Sequence, residues 1–200
     1  MFDHYKEVFN VLIDRRQNII DAATHSFSIF GYKATTMDQV AKLANVGKGT
    51  IYNFFESKEE LLDEIIKSLI IEIKEEAEKA FNPELSFINN LHNSLYRILE
   101  FRLKHQLTIK LIQEEKEMGT KAVLESMEKL EQEVVQYITQ KIRMAINDGK
   151  VNECDPELTA FIILKLYISL IFDWEKHHNP LQKEEILRVF EMNIFHGLSN

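Results

Sequence analysis

Three prolines and six glycines are all that interrupt 200 residues. Gly31, Pro83, Gly119, Gly149, Pro156, Pro180 and Gly197 stand between, or at the ends of, long stretches whose apolar residues recur every three or four positions. No run keeps a period-two alternation of apolar and polar residues, so the chain is predicted to be all-α. One stripe runs through Ile19, Ile20, Ala23, Phe27 and Phe30 and stops at Gly31, extending back through Phe9, Leu12 and Ile13 to near Asp3. "TMDQ" from Thr36 is a capping box, and Met37, Val40, Ala41 and Ala44 give the short helix behind it an apolar face. "SKEE" from Ser57 is another, opening a long helix through Leu61, Leu62, Ile65, Ile66, Leu69, Ile73 and Ala77. Further helices are expected at about 84–104, 107–118, 120–148, 156–177 and 182–197.

Between the two capping boxes lies "KLANVGKGTIYNFFESKEEL". Asn45 is among the few non-glycine residues that accept a positive φ, so it can reverse the chain after the short helix. A second short helix, about 48–55, follows. Two short helices joined by a tight turn and backed by a third form a helix-turn-helix. That reading explains two glycines at a helix start, where they weaken the helix. Gly47 and Gly49 clear side chains from the end that must approach DNA and let backbone N–H groups near a phosphate. Lys48 projects between them as a cation for a phosphate or a guanine edge. Thr50 is short and can donate or accept. Ile51 and Phe55, four apart, face inward, while Tyr52 and Asn53 face outward. Lys58, in the first turn of the next helix, opposes the helix dipole, a mild cost that a phosphate would offset. Thr36 supplies one more hydroxyl and helix N-terminus. The expected DNA-facing set is therefore Thr36, Gly47, Lys48, Gly49, Thr50, Tyr52, Asn53 and Lys58.

The whole-chain charge of −8 argues the other way. It is the wrong scale for a function held in one segment. Lys33, Lys42, Lys48 and Lys58 outnumber Asp38 and Glu56 across that stretch, and the acidic excess comes later, in "KEEAEK" and "QEEKEMG". Cys154 is the single cysteine, which excludes a disulfide framework and fits a reducing cytoplasm. No secretory signal opens the chain. The most apolar stretch, 158–172, is shorter than a membrane span and carries Lys165, so a buried helix is expected there and no membrane partner. His177 and His178 are adjacent and diverge on a helix, a poor metal pair. No phosphate-cradling loop, dinucleotide fingerprint, zinc spacing or nucleophile elbow occurs, so no enzyme, cofactor or metal is expected.

"TTMDQVAKLANVGKGTIYNFFESKEELL" resembles the N-terminal DNA-binding region of the TetR family of bacterial regulators, over about 18–62. The usual pattern has glycine where Asn45 stands, serine at Gly47 and often proline at Glu56. Asn45 preserves the turn, whereas Gly47 loses the N-cap hydroxyl, a difference of a few tenths of a kcal/mol. The resemblance implies a helix-turn-helix domain over 1–60 and a helical ligand-binding and dimerisation domain over 61–200. It implies a cytoplasmic homodimeric repressor or activator on a palindromic double-stranded operator, most simply a repressor released by a small effector. The alternative is a DNA-binding factor of the same fold with no small-molecule effector, set by concentration or a protein partner.

The residues themselves support part of this. The helix over 158–172 is apolar nearly all round and must be covered on every side. The last helix carries a stripe through Ile186, Leu187, Val189, Phe190, Ile194 and Leu198. Together they predict a two-fold four-helix interface that includes Leu166, Leu170, Phe190 and Ile194. Helix phase gives the candidate cavity lining as Leu69, Ile73, Leu91, Leu95, Ile112, Tyr137, Phe161, Ile168 and Trp174, and its Leu, Ile and Phe content suggests an apolar or acyl-chain-like effector.

Overall fold

The computed structural model describes residues 2–104 and 106–198, the side chains of 2–14, 102–104 and 195 excepted, and among these residues there are helices and turns but no strand. The elements are α1 (Phe2–Phe30), α2 (Met37–Leu43), α3 (Lys48–Phe54), α4 (Lys58–Lys79), α5 (Phe87–Lys104), α6 (Gln106–Met118), α7 (Lys121–Asn147), α8 (Pro156–Ile168), α9 (Lys183–Phe190) and α10 (His196–Leu198). The side chains of Phe9, Leu12 and Ile13, expected on the stripe of α1, lie outside the described residues. The chain divides into two compact units, Met1–Leu69 with His105–Glu128, and Ile70–Lys104 with Lys129–Asn200.

In the first unit α1 packs on α2 and α6, and α2 on α3. Ile19, Ala23 and Phe27 of α1, Val40 of α2, Ile51 of α3, Leu61, Leu62 and Ile66 of α4 and Leu111 of α6 are each wholly buried. α1 ends where Gly31 takes φ +85°. Glycine is required by that conformation, and a Cβ there would also lie 2.8 Å from a carboxylate oxygen of Glu114 and push on it. Glu114 is itself buried on α6. It accepts the Lys33 N–H at 2.9 Å and the Thr120 hydroxyl at 3.2 Å, which fastens the end of α1 to α6.

The second unit is built round Leu95, Leu99, Ile142, Ile163, Ile171, Ile186, Leu187 and Phe190. α5 begins at Phe87, later than expected, because Ser86 caps it by accepting the Asn89 N–H at 3.1 Å. Asn90, buried, holds the preceding loop by accepting from the Asn82 N–H and donating to its carbonyl. The expected long helices at 156–177 and 182–197 are both present as continuous helical backbone, but neither is α-helical throughout. α8 gives way to a π-helical segment, Ser169–Asp173, and a 3₁₀ turn, Trp174–Lys176. α9 gives way to a second π-helical segment, Glu191–Phe195.

Phe190 corrects the expected subunit interface. Its side chain has no exposure at all within its own unit, so it is a core residue and offers nothing to a partner surface. Leu166, Leu170 and Ile194 are half-buried and pack against that same core. The apolar residues left at the surface of α8 are Leu158, Phe161 and Ile162, 43–56% exposed. Among the described residues no helix is long and apolar enough to cross a membrane.

Candidate nucleic-acid interface and cavity

The turn between α2 and α3 is made by backbone chemistry that the sequence anticipates. Thr36 accepts the Gln39 N–H at 3.3 Å, and the Gln39 side chain accepts the Thr36 N–H at 2.8 Å, closing the capping box. At the other end Asn45 takes φ 53°. Its N–H reaches the Lys42 carbonyl and that of Val46 reaches Ala41, the paired bonds of a Schellman ending. The chain is thereby aimed into α3 with no residue wasted on a longer loop.

α3 presents two faces. Ile51 and the following Phe55 are buried, whereas Gly47, Lys48, Gly49, Tyr52 and Asn53 are exposed and Thr50 is half-buried. Gly47 has an ordinary extended φ of −70° and caps α3 with its backbone alone. Gly49 is helical, and a Cβ on it would meet nothing within 4 Å. The fold therefore does not need glycine at 49, where a helix would gain from almost any other residue. Lys48 is fully exposed and bridges to Asp38 of α2 at 3.0 Å, which raises its pKa further. A phosphate arriving here would exchange one anionic partner for another.

Two expected phosphate ligands differ in how they are placed. Thr36 is exposed, its hydroxyl engaged in the cap. Lys58 turns inward. Its ammonium donates to the Tyr32 and Thr35 carbonyls, both at 2.8 Å, and lies 4.1 Å over the Tyr32 ring. Burial pulls its pKa below the ordinary lysine value. Tyr32 is held in turn by a 2.8 Å bond to Glu59. The loop 32–35 presents carbonyls that no helix satisfies, and Lys58 reaches two of them, which is why it is drawn in rather than out. Lys58→Met should accordingly cost about 1–2 kcal/mol of stability, the worth of charge-assisted hydrogen bonds. The log–log salt slope of DNA binding should stay unchanged. A slope that falls by about one with stability intact would mean that the ammonium leaves the loop for a phosphate. The Ser57 box is also half altered: Ser57 accepts the Glu60 N–H, but the Glu60 carboxylate reaches back to the Glu56 N–H.

The second unit holds a cavity of about 100 Å³ with walls that are almost wholly apolar. Ile73, Leu91, Leu95 and Tyr137, four of the residues expected from helix phase, line it. So does Phe190, expected elsewhere. Leu69 and Ile112 are buried in the first unit. Phe161 and Trp174 are 43% and 40% exposed, and Ile168 is half-buried, so none of these five lines the cavity. Sequence reasoning missed the polar end. Glu78 accepts the Tyr137 hydroxyl at 2.8 Å and pairs with Lys141. Those contacts hold the Glu78 carboxyl below the usual range, Lys141 contributing most, while burial first and the Glu78 contact second raise the Tyr137 phenol. The signal for part of this end was spacing: Tyr137 and Lys141 are four apart on α7, whereas Phe81 lies in the loop just past the end of α4, three residues after Glu78.

Known proteins match this architecture. The family model described as bacterial regulatory proteins, tetR family, matches residues 19–65. The uncharacterized HTH-type transcriptional regulator YhgD of Bacillus subtilis is 58% identical over 187 residues, 94% of this chain and 98% of that protein. Among solved structures, a SmeT–triclosan complex superposes with a TM-score of 0.74 at 15% identity, covering 93% of this chain and 92% of that one. Reduced NemR of E. coli superposes with a TM-score of 0.74 at 16% identity, covering 90% and 96%. The last two are likenesses of fold.

Proposed function

The chain belongs to the tetR family of bacterial regulatory proteins, a DNA-binding transcription regulator and not an enzyme, and from that premise we propose that it is a cytoplasmic homodimeric repressor, released from a palindromic operator by a small apolar effector. Its two functional parts are the helix-turn-helix over 1–60 and the helical remainder over 61–200. The observation that carries the DNA-reading part is the bare first turn of α3. A glycine at 49 that the fold does not require is explained by a surface that must come within reach of a duplex, with Lys48, Tyr52 and Asn53 beside it. The effector part rests on the apolar cavity, and triclosan in the SmeT complex is consistent with such a role for this fold. That cavity favours effector control over a factor without a small-molecule effector, governed by concentration or a protein partner. The exposed apolar face of α8, at Leu158, Phe161 and Ile162, is the surface we assign to the partner subunit.

Selection of bound duplexes from a random pool tests the reading. An inverted repeat is expected, its half-sites one helical turn or a multiple apart, together with a dimer in sedimentation at micromolar concentration. Tyr52→Phe keeps the ring and should leave the melting temperature unchanged while weakening operator binding about tenfold, the worth of one good hydrogen bond. A single unrepeated half-site bound by a monomer would overturn the dimeric reading. Equal loss of stability and binding in Tyr52→Phe would make Tyr52 a packing residue.

A further inference from the structure

The polar end of the cavity has the composition of a cation site, and one of the chain's own cations sits in it. Lys141 Nζ lies 5.3 Å from the centroid of the Tyr137 ring and 5.7 Å from that of Phe81, within the range of cation–π attraction, and it pairs with Glu78. Two aromatic faces and a carboxylate at the mouth of an apolar hollow are what a cation with a greasy body needs. Phe81 is 49% exposed, so its ring is open to an arriving group.

We propose that the cavity takes a small apolar molecule ending in a cation, a protonated amine or quaternary ammonium, whose charge replaces the Lys141 ammonium between Glu78, Tyr137 and Phe81. The inference rests on the effector role proposed above and names the chemical class of that effector. Charge balance selects the cation. Exchanging one cation for another leaves Glu78 paired and the net charge of the wall unchanged. An arriving carboxylate would instead face Glu78 and have to share Lys141 with it, and Glu78 resists the protonation that would relieve the conflict. The other polar groups of the lining are already used. Asn90 bonds the Asn82 loop, the Ser94 hydroxyl donates to the Ala77 carbonyl at 3.0 Å, and Lys74 pairs with Glu133 at 2.8 Å. The Lys141 side chain is one-third exposed and long enough to swing into water, where its ammonium is fully solvated. Lys141 thus acts as a placeholder, keeping Glu78 neutralised when the cavity is empty and setting the affinity that an incoming cation must exceed. The hollow suits a short chain, being somewhat smaller than apolar cavities known to admit benzene.

Calorimetry on the full chain with hexyltrimethylammonium, hexanol and hexanoate tests this. The cation should bind about tenfold more tightly than the alcohol, and hexanoate most weakly. Lys141→Met, which removes the competitor and keeps the stem, should tighten the cation about tenfold further. Glu78→Gln should abolish the preference, so that cation and alcohol bind alike, whereas Glu78→Asp should keep it. Melting temperatures identify any variant that fails to fold, and the wild-type ranking of the three probes stands without variants. Hexanoate binding as tightly as the cation, a preference that survives Glu78→Gln, or no binding of any probe would overturn the inference. Operator release, read alongside, separates this inference from the reading beneath it. Cation binding without release leaves the site standing and removes effector control. Release by hexanol with no preference for the cation does the reverse.

Discussion

Phe190→Asp should unfold the second unit rather than merely separate two subunits. Phe190 is wholly buried, in the cluster with Leu95, Leu99 and Ile163. Removing a buried phenylalanine costs about 3–5 kcal/mol in lost transfer and cavity energy. A carboxylate left there with no partner adds several kcal/mol more, or else takes up a proton to avoid the charge. The sum approaches the whole stability of an ordinary domain, about 5–15 kcal/mol. Circular dichroism should show loss of cooperative melting, and little soluble protein should be recovered. Phe190→Leu, which keeps an apolar body, should cost only about 1–2 kcal/mol. A Phe190→Asp protein that melts like wild type but sediments as a monomer would contradict the burial and return Phe190 to a subunit contact.

Gly49→Glu should do the opposite, sparing the fold and removing the function. The new Cβ enters open space, and leaving glycine in a helix gains about 0.5–1 kcal/mol. An acid in the first turn also suits the helix dipole. Melting should therefore stay level or rise slightly. At a DNA surface the same carboxylate faces phosphates and holds α3 off the duplex by its bulk. Like charges brought together at an interface cost several kcal/mol, so operator affinity should fall by about a hundredfold or more. Fluorescence anisotropy with a labelled operator, beside a thermal melt, reads both effects. Full affinity in Gly49→Glu would show that the first turn of α3 does not meet DNA.

The head of the molecule was legible because its signals are local. Thr36 and Gln39 are three residues apart, Asn45 carries its own conformational licence, and Ile51 and Phe55 share a face by spacing alone. Lys58 was not, because its partners, Tyr32 and Thr35, are 26 and 23 residues away. The cavity lining was half legible for a reason that belongs to α4. Its stripe looks continuous, yet Leu69 falls in one compact unit and Ile73 in the other, so helix phase identifies an inward face without saying what it faces. α8 defeats phase altogether, since a helix apolar all round has no preferred side, and Phe161 and Ile168 could be sorted only by structure. The π-helical segments after α8 and α9 then change the angular step per residue, so an extrapolated stripe goes out of register before Trp174 and after Phe190.

The bond from the Lys33 N–H to Glu114 spans 81 residues of sequence. During synthesis, at roughly 5–20 residues per second, α6 follows α1 off the ribosome by some 4–16 s. Until α6 is made, the face of α1 that packs on it is uncovered and the end of α1 at Gly31 lacks its bond to Glu114. The packing behind the helix-turn-helix is thus completed late in translation, by a helix distant from it in sequence. A truncated product ending after α4 carries the whole helix-turn-helix and still lacks one wall of the unit that holds it.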